Sequence, residues 1–95
     1  MIPRYRTPTS PGEILVEEFL HPLGITQTAL ARHLGVPVRR INEIARGRRV
    51  ITPETAQLLS AAFRTSAEFW MNAQSSYDLA TRRIAVHVKP LVKAG

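Results

Sequence analysis

Apolar residues recur along this chain at helical intervals, and proline, glycine and hydroxyl residues cut the intervals into five segments. Ile14, Leu15, Phe19 and Leu20 fall on one face of a first predicted helix. Ser10 precedes it as a cap, Pro11 takes the first helical position, and Glu13 lies three residues after the cap, the pattern of a capping box. Pro22 and Gly24 are expected to end it. Thr26 is placed to cap a second helix, "QTALARHL", in which Leu30 and Leu34 lie on one face and Gly35 forms the stop. Pro37 opens a third, "VRRINEIAR", with Ile41, Ile44 and Ala45 as its buried side and Gly47 beyond it. Thr52 and Pro53 begin a fourth, with Leu58, Leu59, Ala62 and Phe63 as its stripe. Thr65 or Ser66 caps a fifth; with Thr65 as cap, Glu68 completes a second capping box. Trp70, Ala73, Tyr77, Ala80 and Ile84 follow at helical spacing.

The ends read differently. Residues 1–9 carry Pro3 and Pro8 with little periodicity and are expected to form a flexible arm. The tail, 84–95, alternates at Ile84, Val86 and Val88, which fits a short C-terminal strand as well as a helix extension. Pro90 makes it a poor central strand. The expected organisation is one all-α domain over residues 10–83, flanked by the arm and the tail.

The segment from Gln27 to Arg46 has the most specific pattern. Two short helices are joined by a turn of about three to four residues containing glycine, which is the helix-turn-helix arrangement. Ala31 is small where the second helix must cross close, Gly35 takes the turn, and Val36, Ile41 and Ile44 lock one helix on the other. Every inward slot has a fitting residue. Val38, Arg39, Asn42 and Glu43 are then left on the outer side, with Arg40 and Arg46 at its edges.

Charge sharpens the picture. The 95 residues carry a net charge of +6, which points to a polyanionic partner. Arg39, Arg40, Arg46, Arg48 and Arg49 crowd into one stretch with only Glu43 against them. An arginine run alone reads as a solvated face. Next to a complete helix-turn-helix it reads as a duplex-DNA surface, because the second helix of that motif enters the major groove. Arg39 can reach guanine as a fork, Asn42 can pair with adenine, and Val38 can touch a thymine methyl. Glu43 can accept from cytosine or orient Arg39 or Arg46. Gln27, Thr28, Arg40, Arg46, Arg48 and Arg49 suit phosphates. Arginine, with its planar fork, fits both tasks better than lysine.

Other chemistry finds no support. There is no cysteine, so disulfides and thiolate metal sites are excluded. His21, His33 and His87 share no metal-ligand spacing, and Glu17 and Glu18 diverge as helix neighbours. No enzymatic activity, cofactor or metal is expected. No apolar run approaches a membrane span and the start lacks a signal-peptide core, so a cytoplasmic location without membrane contact is expected.

The pieces "PGEIL", "INEIARGRR", "ITPETAQLLSAAF" and "TSAEFWMNAQSSYDLA" together resemble the HigA family of antitoxins, within the lambda-repressor-like (Cro/repressor, XRE-type) helix-turn-helix class. The likeness covers most of residues 11–80. Phe69, Trp70, Asn72, Gln74, Tyr77 and Leu79 narrow it to HigA. The resemblance implies a five-helix fold and a homodimer that represses its own operon. It also implies a partner toxin, HigB, of the RelE-like, mRNA-cleaving kind. It places the DNA contacts on Gln27, Val38, Arg39, Asn42 and Glu43; Arg40 departs from the small Ser or Thr often found at its slot. Tyr77, Ala80, Ile84, Val86 and Val88 are the dimer-interface candidates, whereas Phe69 and Trp70 read as monomer core. A palindromic operator would mirror the two-fold, with half-sites spaced by ~34 Å. The alternatives are a stand-alone phage-type repressor with no toxin and an interaction module whose arginines meet an acidic protein. A basic, RelE-like neighbouring gene argues against the first, and salt-dependent promoter binding against the second.

Overall fold

Hydroxyl caps start four of the five helices. The side-chain oxygens of Ser10, Thr26, Thr52 and Ser66 accept hydrogen bonds from the amides of Glu13 (3.2 Å), Ala29 (3.0 Å), Thr55 (3.4 Å) and Phe69 (3.0 Å). Each satisfies a donor that the first helical turn leaves bare. The computed structural model describes residues 9–93. In it Pro11–Ile14, Leu15–Leu20 and His21–Leu23 run on without a break as α1. The others are α2, Gln27–Leu34; α3, Val38–Ala45; α4, Pro53–Phe63; and α5, Ala67–Thr81. The described residues contain no strand.

Two local expectations are corrected. Pro22 does not end α1. The middle segment, Leu15–Leu20, is wound as a π-helix, and the amide of His21 reaches back to the carbonyl of Val16. This wider turn takes up the proline, which has no amide to donate, and the helix stops only at Gly24, in the left-handed region at φ 66°. Thr65 does not cap α5, so the box with Glu68 does not form. Ser66 is the extended residue at that start, and the Thr65 hydroxyl instead accepts the indole N–H of Trp70 at 2.7 Å.

Each helix sends a buried pair or a single large side chain to one core: Leu15 and Leu20, Leu30 and Ala31, Ile41 and Ile44, Ala56 and Leu59, and Trp70. Ile51, in the loop before α4, joins them. Ile14, Phe19, Leu34, Ala45, Leu58, Ala62 and Phe63, expected on inward faces, are half-buried at the core's edge. Phe19 stacks obliquely on both Phe63 (4.9 Å between centroids) and Trp70 (5.3 Å). Phe69 packs edge-on against Trp70, yet its outer side is exposed.

Residues 82–93 form neither the strand nor the helix extension their pattern allows. Alternation specifies a face, but a strand also needs an edge to bond to, and Pro90 lacks an amide. Ile84, Val86 and Val88 are exposed. Of the expected arm, only Thr9 falls among the described residues; Ala94 and Gly95 of the tail also lie outside them. No helix among the described residues is long and apolar enough to cross a membrane.

Candidate nucleic-acid interface

The geometry of α3 is set from below. Gly35 closes α2 in the left-handed region at φ 74°, and the amide of Val36 returns to the carbonyl of Ala31 at 3.0 Å. That turn swings the chain across α2. Ala31 is 2% exposed beneath the crossing, as its small size foretold. Pro37 then holds the extended conformation that precedes α3. With Ile41 and Ile44 wholly buried, Val38 and Arg39 are carried to solvent and Asn42 and Glu43 stand half-buried beside them. The Arg39 side chain is 85% exposed. At the head of α2, Thr28 is exposed and Gln27 half-buried.

Glu43 is the electrostatic centre of this face. One carboxylate oxygen accepts from Arg49 Nε (3.0 Å) and Nη2 (2.8 Å), and the other from Arg39 Nε (3.3 Å). The partners are therefore Arg39 and Arg49; Arg46, the other expected partner, forms no ion pair among the described residues. The hydrogen bond from Arg49 does most to hold the Glu43 carboxyl below the usual carboxylate range. Loss of solvent works against it, and the Arg49 charge and the Arg39 bond and charge add to it. Arg40 donates to Glu54 at 2.7 Å, tying α3 to the first turn of α4. Arg46 and Arg48 are exposed in the loop that leaves α3.

Three residues that shape this face carried no role in the sequence reading. Glu54 is the partner of Arg40. Gly12 lets the start of α1 touch the end of α3. Gln74, in α5, is buried; its side-chain oxygen accepts the amide of Ile51 at 2.7 Å and its nitrogen donates to Asp78 at 3.0 Å. A glutamine in line with Trp70 and Tyr77 was the available signal. Of the dimer candidates, Tyr77 is half-buried and Ala80 exposed on α5, and Ile84, Val86 and Val88 are exposed beyond it.

A helix-turn-helix family model matches residues 16–70, which contain α2, the turn and α3. The chain is 51% identical over 69 residues to virulence-associated protein I of Dichelobacter nodosus, covering 73% of this chain and 64% of that relative's length. It is 42% identical to antitoxin HigA-1 of Vibrio cholerae, over 90% of this chain and 86% of that protein. The solved structure of Pseudomonas aeruginosa antitoxin HigA with the higBA promoter superposes with a TM-score of 0.82 at 44% identity, over 90% of this chain and 99% of that one. Pattern, fold and likeness agree, and the chain belongs to the HigA antitoxin family of helix-turn-helix proteins.

Proposed function

We propose that this chain is the antitoxin of a HigBA-like type II module. As a homodimer it binds a palindromic operator in double-stranded DNA and represses its own operon. It neutralises a RelE-like, mRNA-cleaving HigB toxin by binding it in the cytoplasm, and it catalyses nothing itself.

The observation that carries this reading is the two-sidedness of α3. Ile41 and Ile44 are sealed in the core while Arg39 extends into solvent beside Asn42. Val38, Arg39, Asn42 and Glu43 read bases, with Glu43 acting partly by steadying Arg39. Gln27, Thr28, Arg40, Arg46, Arg48 and Arg49 take phosphates. Arg40 and Arg49 exchange a carboxylate partner for a phosphate when they do so. The dimer forms through Tyr77, Ala80 and the apolar tail positions Ile84, Val86 and Val88, whose exposure in one chain supports burial between two.

The test has two arms. Fluorescence anisotropy compares the chain's own promoter with a scrambled duplex, and a preference of at least about 10³ is expected. Co-expression with the adjacent gene product should relieve its growth arrest and recover both proteins together. Promoter binding without a toxic neighbour would make the chain a stand-alone repressor; equal binding to both duplexes would end the operator reading.

A further inference from the structure

Behind the end of α3 lies a cleft of about 70 Å³, enough for several water molecules or the oxygens of one phosphate. Its walls come from the start of α1, the loop Gly47–Val50, and the last turns of α5. Arg48 and Arg82 both line it, although they lie far apart in sequence. Among the described residues neither is in an ion pair, whereas Arg49, on the same wall, is committed to Glu43. The one carboxylate in the lining, Asp78, is held by the side-chain nitrogen of Gln74. Two guanidinium groups without an ion-pair partner thus share a small polar recess with one carboxylate, which leaves an excess of positive charge there.

The place matters as much as the charge. The loop carrying Arg48 follows directly on α3, so the recess adjoins the end of the helix proposed to enter the groove. Gln74 fixes that loop to α5 through the amide of Ile51. The two arginines are therefore carried by parts of the chain joined by a buried hydrogen bond, and the recess is preformed.

We propose that Arg82, together with Arg48, holds one DNA backbone phosphodiester in this cleft. The last helix then contributes directly to DNA binding, outside the helix-turn-helix. This rests on the reading of the chain as a DNA-binding protein. The contact carries no base information; it adds affinity by releasing counterions.

The test is the salt dependence of DNA binding by the full chain, measured on promoter and scrambled duplexes. Arg82→Ala should lower the slope of log K against log salt by about 0.9, one phosphate's share, equally on both duplexes. Arg82→Lys should restore most of it. Arg83→Ala removes the neighbouring charge, which does not line the cleft, and should leave the slope unchanged. A slope unaltered in Arg82→Ala, or lowered as much by Arg83→Ala, overturns the cleft while leaving the DNA-binding reading intact. Failure of the unmutated chain to bind any duplex overturns that reading instead. Arg82 is exposed at the end of α5, and an unchanged melting curve separates lost contact from lost fold.

Discussion

Gly12 lies so close to Ile44 that a β-carbon on it would occupy the space of the Ile44 carbonyl oxygen and stand 2.9 Å from the carbonyl carbon. The neighbour is backbone at the end of α3 and cannot swing away as a side-chain tip could. Gly12→Ala sets two effects against each other. Alanine favours a helix over glycine by up to about 1 kcal/mol, less in a first turn. Overpacking costs about 1–3 kcal/mol, and more where backbone must move. The clash wins, so the variant should melt lower by about 4–8 °C for each kcal/mol lost. Thermal unfolding followed by circular dichroism checks this; an equal or raised midpoint would mean that α1 and α3 do not touch here.

Arg39→Ala should cost discrimination rather than general affinity. A bidentate arginine–guanine contact is worth about 1–3 kcal/mol against the wrong base. Binding to the promoter should fall by that amount while binding to scrambled DNA changes little. Competition between the two duplexes reads the ratio directly, and a matching loss on both would move Arg39 to the phosphate contacts.

Acid should loosen the Glu43 cluster. The folded carboxyl titrates below its unfolded value, so its contribution is complete above the ordinary carboxylate range. It is lost as pH falls through the lowered value. A carbon-13 titration of the Glu43 carboxyl should show a depressed midpoint. Arg49→Ala should raise it more than Arg39→Ala does, since the Arg49 hydrogen bond is the leading cause. A midpoint indifferent to both substitutions would contradict the geometry.

Gln74→Leu should destabilise by about 1–3 kcal/mol, because it leaves the buried amide of Ile51 without an acceptor. Asp78→Ala spares that bond and should cost no more than about 0.5–1.5 kcal/mol. Urea midpoints at constant m-value give both numbers. Equal costs would place the weight on the Gln74–Asp78 contact instead.

What could be read from the sequence was what the chain decides over a few residues. Ser10, Thr26 and Thr52 cap helices because each hydroxyl needs only the amide three residues on. Ile41 and Ile44 were legible because a helical period has one inward side. The partner of Arg40 was not, since Glu54 lies a whole loop away. Gly12 and Gln74 were hidden for the same reason: their partners, Ile44 and Ile51, are set by how α1 and α5 pack. Pro22 misled because a wider helical turn can take up a proline that an α-helix would not. The alternation of Ile84, Val86 and Val88 describes one face of a strand whose other requirement, a neighbouring edge, no described part of a single chain supplies.

Trp70 is the only tryptophan in the chain, and its indole is sealed away with its N–H engaged by Thr65. Intrinsic emission therefore watches the interior: it will shift to the red as the helices come apart, with no label required. The arginine face is built without tryptophan, so docking of a duplex there should leave that light largely unchanged, giving the experimenter separate optical channels for stability and for occupancy.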